Sequence, residues 1–385
     1  MGTKHETEGV MMNGGNHMDN TDWQTDLEAY IRQGEPDKAE RTNVWRTAIG
    51  LQDVDGLKTS DYLLETARAH IEGEISILDA DRRIQGYYEE RACRDEMETD
   101  AREADIVSVR IAKILGEKTF QFSPAELKNI HKKLFAGVFE HAGFFRPYNI
   151  TKKEWVLKGD TVVYASFDSI KDTLDYDFEQ EKNYSYEGRA IEEAVAHIAK
   201  FTSGIWQIHP FCEGNTRTTA VFVIKYLKTF GFQINNDTFA AHSWYFRNAL
   251  VRANYNNWEN DIHETTKYLK MFFENLLLDK HHELKNRYMH IDYQSADHDL
   301  AQDSTQSATQ SATDADSKCK NCTLEELAIL AELKRNPSIT QKELALRMGK
   351  SERTIKNRTV ELQKKGYLKR ENGKRNGKWE VLRKM

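Results

Sequence analysis

One short run constrains this chain more than any other feature, because it combines a histidine, a carboxylate, a Gly-Asn pair and an arginine: His209-Pro-Phe-Cys-Glu-Gly-Asn-Thr-Arg217. Apolar residues at helical spacing precede it, at Ile191, Val195, Ile198, Thr202 and Ile205. A largely apolar helical pattern follows it, at Val221, Ile224, Tyr226 and Leu227. The run therefore predicts a loop that enters a helix at Gly214-Asn215, where free N–H groups and the helix dipole bind anions.

The polar groups of this run suit a phosphate substrate. His209 could act as a base, and Glu213 offers the oxygen ligands that Mg²⁺ prefers. Arg217 carries a forked cation, and Gly214 lets the main chain approach a ligand closely. Each residue taken alone has a structural explanation, since a His-Pro pair often only ends a helix. Together and in this order they predict transfer chemistry on a nucleotide.

The same run resembles the motif of the Fic family, His-Pro-Phe-x-(Asp/Glu)-Gly-Asn-x-Arg-x-x-Arg. The matching positions are His209, Pro210, Phe211, Glu213, Gly214, Asn215 and Arg217. The likeness extends from about Phe122 to Leu278, and includes Ala142-Gly143-x-x-Arg146 and Asn149-Ile150. Two positions depart from the pattern: Thr216 stands where glycine is commonest, and Ala220 replaces the second arginine. Arg247 or Arg252 is a candidate substitute for that missing cation.

This resemblance implies a helical protein adenylyltransferase. Such an enzyme transfers AMP from ATP, with Mg²⁺, to a Tyr, Ser or Thr hydroxyl of a target protein or of itself. By resemblance, His209 would deprotonate the hydroxyl and Glu213 would hold Mg²⁺. The nucleotide phosphates would be bound by Gly214, Asn215, Thr216 and Arg217. Two alternatives stay open: another phosphoryl or nucleotidyl transfer, and a DNA-binding regulator whose inactive Fic core senses nucleotide.

A second feature breaks the helical pattern before the motif. Trp155-Val-Leu157 and Thr161-Val-Val-Tyr164 flank Lys158-Gly159-Asp160, which predicts a β-hairpin with a glycine-containing loop. In Fic proteins such a hairpin is the flap that docks the target by strand pairing. The resemblance assigns target docking to Trp155, Val156, Leu157, Val162, Val163 and Tyr164. A plain surface hairpin is the alternative.

Short helical patterns over residues 23–97 resemble the antitoxin-like domains that accompany Fic proteins. Those domains carry (Ser/Thr)-x-x-x-Glu-(Gly/Asn), whose glutamate pairs with the second Fic arginine. Asp55-Gly56 is a degenerate copy of it, and Glu72-Gly73 is a rival candidate. Because Asp55 replaces glutamate and Ala220 removes its arginine, we expect Asp55 and Gly56 to restrain the enzyme only weakly. The alternative is that both acidic-Gly pairs merely end helices.

The last 63 residues form a separate, basic module. Residues 323–385 carry 17 Lys and Arg against 8 Asp and Glu, a net charge of +9, whereas the other residues carry 38 against 53, a net of −15. Capping boxes at 323–326 and 340–343, a third helical pattern and a two-stranded wing resemble a winged helix-turn-helix domain. Its third helix would bind DNA through Arg353, Lys356, Asn357 and Arg358. A protein-binding or dimerisation module is the alternative.

Composition supports a mainly α protein with several domains. The chain has 385 residues, of which 39% are hydrophobic and 30% charged, with only five prolines. The predicted architecture is a Fic-type helical core with a β-hairpin flap plus a small winged helix-turn-helix domain. The predicted divisions are a disordered N-terminus at 1–22, an antitoxin-like segment at 23–97, a catalytic core at 98–290, a flexible linker at 291–322 and the winged module at 323–385.

Cysteine usage and hydropathy bear on the compartment. The chain has four cysteines, too few for a disulfide framework, and the lone Cys319-Lys-Asn-Cys322 pair gives little support for zinc. No segment has the 18 consecutive apolar residues of a membrane span, and the N-terminus is polar. The sequence therefore predicts a cytoplasmic protein with no membrane contact.

Overall fold

The computed structural model describes residues 36–90, 96–186, 189–232, 237–293, 323–371 and 377–382. These residues form thirteen α-helices and one two-stranded sheet, which confirms the predicted mainly α fold. No helix among them is long and apolar enough to cross a membrane. The predicted disordered N-terminus, nearly all of the predicted linker and the Cys319/Cys322 pair lie outside the described residues.

Ten helices precede the winged module: α1 Pro36–Gly50, α2 Asp61–Glu72, α3 Ile77–Glu90, α4 Glu96–Gly116, α5 Pro124–Phe135, α6 Ile170–Asn183, α7 Ile191–Ile208, α8 Asn215–Thr229, α9 Thr238–Arg252 and α10 Lys267–Leu278. Helix α8 lies at the centre, because every side chain from Asn215 to Leu227 is buried. It packs against α4, α5 and α7. The predicted motif therefore opens the most enclosed helix of the molecule.

The N-terminal helices belong to the same hydrophobic core as α8. Helix α1 packs against α4 and α9, and Gly50 allows a close approach there, since a Cβ would lie 2.3 Å from Ala240 O. Ser243 Oγ also donates to Gly50 O at 2.7 Å. The segment that holds Asp55 is thus firmly seated on the helices that carry the motif.

Two lysines tie α8 to α4. Lys225 Nζ donates to the carbonyls of Ile114 and Glu117, and Lys228 Nζ donates to Leu115 O at 2.9 Å. These acceptors lie in the last turn of α4 or just beyond it, where a cation also complements the helix dipole. Burial lowers the pKa of Lys225 to about 8. The C-terminal halves of the two helices are therefore tied together.

The predicted flap does not form a β-hairpin. Trp155–Leu157 is a turn of 3₁₀ helix, and Lys158 and Gly159 follow with left-handed φ angles of 57° and 89°. Glu154 closes the reversal, because its carbonyl accepts from Gly159 N at 3.0 Å and its N–H donates to Asp160 O at 2.9 Å.

The burial pattern explains why the strand prediction was wrong here. Val156 and Leu157 are consecutive and both buried, whereas successive side chains of a strand point to opposite faces. In the second half of the predicted hairpin, burial does alternate as in a strand, with Val162 and Tyr164 buried and Val163 80% exposed. Residues 161–165 belong to no helix or strand and pair with no strand in the described part of the chain.

The C-terminal module has the predicted winged helix-turn-helix architecture. Its elements are α11 Leu324–Arg335, α12 Gln341–Arg347, α13 Glu352–Lys364, β1 Leu368–Glu371 and β2 Lys378–Val381. Both predicted capping boxes are present, at Thr323 with Glu326 and at Thr340 with Glu343. The strands are antiparallel, with Leu368 opposite Val381. The tip of the wing, residues 372–376, lies outside the described residues.

Candidate functional site

The loop between α7 and α8 depends on two left-handed residues. His209 ends α7 with φ 49° and ψ 59°, and its N–H donates to Trp206 O at 3.0 Å. Gly214 begins α8 with φ 72°, and a Cβ there would lie 2.4 Å from the Phe135 ring. Only glycine fits this position without displacing a core ring. The N–H groups of the first turn of α8 have no acceptor within the helix, as predicted for an anion-binding loop.

Two predicted nucleotide-binding residues use their side chains to brace the loop. Asn215 Oδ1 accepts from Phe211 N at 2.9 Å, and Asn215 Nδ2 donates to Phe211 O at 2.7 Å. Thr216 Oγ1 accepts from Trp206 Nε1 at 3.0 Å. Both side chains are buried, so only the main-chain N–H groups of Asn215 and Thr216 can meet a phosphate.

His131 on α5, which was not predicted from the sequence, supports the loop. Its Nδ1 accepts from Gly143 N at 2.8 Å, so the ring proton lies on Nε2, which donates to Glu213 O at 3.1 Å. The ring stacks on Phe211 at 3.7 Å. Burial lowers the pKa of His131 to about 4, so the ring is neutral near pH 7 and keeps this tautomer. His131 thus positions Glu213 through its main chain.

Arg146 ties the loop to the neighbouring extended segment. Its Nε donates to His209 O at 2.8 Å, Nη1 donates to Tyr148 O at 2.7 Å, and Nη2 donates to Ala165 O. The side chain is fully buried, and burial lowers its pKa. Nη2 also donates to Ile208 O at 3.3 Å, so this buried guanidinium bonds to four carbonyls and fixes the position of His209 relative to residues 161–165.

His209 is arranged to accept a proton. Its Nδ1 lies 3.3 Å from Trp206 O, and because a carbonyl only accepts, Nδ1 carries the proton and Nε2 has a free lone pair. Nε2 is buried and has no hydrogen-bond partner among the described residues. Burial first, and then the charge of Lys152, lowers the pKa of His209 well below its ordinary value. The imidazole is therefore neutral near pH 7.

Glu213 lies at the exposed edge of the loop. Its Oε2 is 2.9 Å from Lys152 Nζ, and Lys152 N donates to Thr161 Oγ1 at 3.1 Å. Mg²⁺ commonly takes one or two protein carboxylates, with phosphates completing its ligands. One accessible carboxylate beside an anion-binding loop fits a metal that arrives with a nucleotide. The described residues contain no cluster of three or more ligands that could hold a metal by themselves.

A cavity of about 480 Å³ adjoins the loop, a size typical of small-ligand sites. It is lined by Val54, Asp55, Gly56, Leu57, Glu103, Phe139, Glu213, Arg217, Trp244 and Arg247. The structure thus brings the predicted metal ligand, the predicted phosphate-binding arginine and the predicted inhibitory pair to one cavity.

Within this cavity Arg217 is held by three residues of the N-terminal half. Its Nε lies 2.8 Å from Asp55 Oδ2, Nη2 is 2.6 Å from Glu103 Oε1, and Nη1 donates to Gln52 Oε1 at 3.0 Å. The expectation that Asp55 has no arginine to meet is therefore wrong. Ala220 is buried on α8, and Asp55 pairs with Arg217, the first arginine of the motif, instead of with a second one. Gln52 and Glu103 were both missed by sequence reasoning.

The rival acidic-Gly pair has a structural role instead. Gly73 ends α2 with φ 84°, and its N–H donates to helix carbonyls. Glu72 Oε2 lies 2.8 Å from Lys38 Nζ, and neither residue lines the cavity. Helix termination, the alternative stated above, is the explanation for this pair.

The predicted docking residues divide into two groups. Val156, Leu157, Val162 and Tyr164 are buried, and the Tyr164 ring lies 4.3 Å from the His209 ring. Trp155 and Val163 are exposed. Of the predicted docking side chains, only these two are accessible, while Tyr164 packs against His209.

The predicted DNA-contacting residues of α13 also divide. Arg353, Lys356 and Asn357 are exposed. Arg358 is half-buried, with its guanidinium 2.9 Å from Glu361 Oε2 and 3.5 Å from Glu325 Oε2. Arg358 is thus paired with carboxylates of its own module. The sequence predicted only that it points outward and did not predict this pairing.

Comparison with known proteins identifies two domains. Residues 121–227 match the Fic/DOC family, and residues 326–369 match a winged helix-turn-helix DNA-binding domain. A protein adenylyltransferase from Bartonella henselae is 30% identical over 125 residues, which cover 30% of this chain and 23% of that protein. A crystal structure of a Fic family protein from Desulfovibrio desulfuricans G20 aligns over 95% of this chain and 96% of that chain, with 11% identity and a TM-score of 0.39.

The matched Fic/DOC region spans the loop, its bracing residues His131 and Arg146, and nearly all of helix α8. The second match covers most of the C-terminal helices and the start of the first strand of the wing. The chain thus contains a Fic/DOC family region and a C-terminal winged helix-turn-helix region.

Proposed function

We propose that this chain is a Mg²⁺-dependent protein adenylyltransferase that moves AMP from ATP to a Tyr, Ser or Thr hydroxyl of a target protein or of itself. The observation that carries the proposal is the buried, unpartnered Nε2 of His209 beside an anion-binding helix N-terminus. The similarity to a Bartonella protein adenylyltransferase supports the same reaction, although the match covers 23% of that relative.

In the proposed reaction His209 Nε2 takes the proton of the target hydroxyl. The hydroxyl oxygen attacks the α-phosphorus, the bond between that phosphorus and the bridging oxygen breaks, and pyrophosphate leaves. The main-chain N–H groups at the start of α8 stabilise the negative charge that develops on the α-phosphate. Glu213 would hold Mg²⁺, which when bound neutralises phosphate charge. Lys152 must then leave the Glu213 carboxylate.

Residues 161–165 would dock the target. Their burial alternates as in an extended chain, they pair with no described strand, and they present Val163 to solvent. An extended peptide can add to such a segment through main-chain hydrogen bonds, which bind without reading side chains. Arg146 holds this segment and His209 together, so a docked hydroxyl would meet the base.

Labelled ATP tests the reaction class. Incubation of the full chain with Mg²⁺ and ATP labelled at the α- or γ-phosphate should transfer only the α label, and an intact mass spectrum should show an added AMP. Transfer of the γ label would instead identify a phosphoryl transferase. Binding of ATP without transfer of either label to the chain or to proteins of a cell extract would favour the nucleotide-sensing regulator.

We further propose that the winged module binds duplex DNA. The match to a DNA-binding family and the exposed Arg353, Lys356 and Asn357 on α13 support this. Binding should weaken steeply as salt rises, because phosphate contacts release counterions. In the full chain Arg353→Ala and Lys356→Ala should weaken binding, whereas Arg358→Ala should change it less, since Arg358 is paired with Glu361. If no DNA binding occurs at low salt, the module serves a protein partner.

A further inference from the structure

Two arginines, Arg217 and Arg247, line the cavity beside the loop, and they differ in how their guanidinium N–H donors are occupied. Arg217 is only 2% exposed, and its Nη1 and Nη2 donate to Gln52 and Glu103. Its Nε makes no hydrogen bond among the described residues but is buried 2.8 Å from Asp55 Oδ2 as an ion pair. Its guanidinium also lies over the Phe135 ring. A phosphate could reach Arg217 only by displacing these partners.

Arg247 on α9 has a different environment. Both of its close contacts use Nη2, at 3.0 and 3.2 Å from the two oxygens of Glu154. No described residue accepts a hydrogen bond from its Nε or Nη1. The guanidinium also lies 5.2 Å from the Trp244 ring, and both residues line the cavity. Glu154 and Trp244 therefore hold the Arg247 guanidinium on one edge and one face, leaving other donors available.

The position of the family's second arginine offers no cation here. Ala220 is fully buried in α8 and does not line the cavity. Arg252, the other candidate substitute, does not line the cavity, and its Nε and Nη1 are buried without a partner among the described residues. Of the two arginines that line the cavity, Arg247 is the one whose unused donors are not buried against a carboxylate, since Arg217 Nε is buried beside Asp55.

We propose that Arg247 binds the phosphates of the donor nucleotide beyond the α-phosphate, in the place of the missing second arginine and of the occupied Arg217. The proposal rests on the proposed function, because it takes the donor to be a nucleoside triphosphate. The α-phosphate must lie near His209, which does not line this cavity, so the cavity itself receives the β- and γ-phosphates. A guanidinium whose Nε and Nη1 have no acceptor among the described residues suits such an anion.

The arrangement also gives Glu154 and Trp244 positioning roles. Glu154 is buried within the reversal at 154–160, and burial raises its pKa while Arg247 opposes that rise. The pair fixes the guanidinium before any ligand arrives, which reduces the entropy that binding must overcome.

Nucleotide titrations test the proposal without relying on turnover. The dissociation constants of Mg²⁺-ATP, Mg²⁺-ADP and AMP are measured for the wild-type chain, Arg247→Gln, Arg247→Lys and Arg252→Gln. Arg247→Gln should weaken ATP binding about tenfold or more, as expected for the loss of charge-assisted hydrogen bonds, and leave AMP binding nearly unchanged. Arg247→Lys should lose part of the ATP affinity, because it keeps the charge but not the fork. Arg252→Gln should change neither.

Thermal unfolding of each variant separates a binding effect from a folding effect, since Arg247→Gln leaves Glu154 unpaired. The double variant Glu154→Gln/Arg247→Gln removes that buried charge and should still bind ATP weakly. Unchanged ATP affinity in Arg247→Gln, or an equal loss for ATP and AMP, would overturn the proposal. Wild-type chain that binds no ATP would overturn the proposed function as well, whereas normal ATP binding and α-label transfer in Arg247→Gln would overturn the Arg247 assignment alone.

Discussion

The loop at 209–217 and the segment at 154–165 lie side by side, yet they are held in different ways. His131 and Arg146 bond to the main chain of the loop, and Trp206 Nε1 donates to the Thr216 side chain. The segment contains a reversal that Glu154 closes through its own main chain, and outside groups bond to it at Val156 O, Val163 O and Ala165 O. The difference shows that the atoms proposed for chemistry are fixed by buried side chains of the core, whereas the segment proposed for docking combines a local reversal with a few outside bonds.

Substitutions at two glycines test this comparison most strongly. Both glycines have left-handed φ angles, but only at Gly214 would an added Cβ meet other atoms. Gly214→Ala places a Cβ 2.4 Å from the Phe135 ring, so the loop must shift, and transfer should fall about a hundredfold. Gly159→Ala has the same backbone strain, with φ 89°, but its Cβ meets nothing within 4 Å. It should cost about 1 kcal/mol of stability and leave ATP binding intact. Measuring the transfer rate and the unfolding midpoint of each variant tests this difference. If both variants lose the transfer rate equally, the comparison is contradicted.

The carboxylates on Arg217 give the next largest expected effect. Asp55→Ala alone should raise ATP affinity only a few-fold, because Glu103 still holds Nη2. Asp55→Ala with Glu103→Gln removes two negative charges from the cavity, each worth about 1 kcal/mol against a phosphate, and should raise affinity about tenfold or more.

Glu72→Ala is the matched control for this pair, since Glu72 contacts Lys38 outside the cavity and should leave ATP affinity unchanged. ATP affinity is read by titration, with thermal unfolding as a check on the buried Arg217. If Asp55→Ala alone raises ATP affinity as much as the double variant does, Asp55 by itself, rather than the pair of carboxylates, restrains ATP binding.

Much of the site could be predicted because its chemistry is contiguous in sequence. His209, Glu213 and Arg217 fall within one run, and the helical periodicity on either side predicts where the loop enters α8. The partners of Arg217 could not be predicted, since Gln52 and Glu103 are 165 and 114 residues away. Contacts over such separations depend on how α1, α4 and α8 pack.

The hairpin error has a different cause. A short apolar run such as Trp155–Leu157 does not distinguish a strand from a buried turn by periodicity alone. The buried side chains of Val156 and Leu157 decided the outcome through packing against the core. His131 was missed because a histidine within the pattern of an amphipathic helix has no local sequence signal for the loop that it supports.

Lys152 gives the smallest expected effect, and it acts through charge. Its ammonium lowers the pKa of His209, second to burial, so Lys152→Met should raise that pKa towards its ordinary value. Because protonated imidazole cannot accept a proton, the acidic limb of the transfer rate should move to higher pH. The pH–rate profile at saturating Mg²⁺ measures this, with Lys153→Met, an exposed neighbour, as the control. An unmoved limb would mean that Lys152 does not act on His209.

The most direct test of the account is His209→Ala, measured for α-label transfer and for ATP binding in the same preparation. We predict that transfer falls by about 10²–10⁴-fold, as expected for loss of a general base, while the dissociation constant of Mg²⁺-ATP stays the same. The imidazole lies outside the cavity lining, so its removal should not disturb the β- and γ-phosphates. Transfer at the wild-type rate would contradict the assignment of His209 as the base.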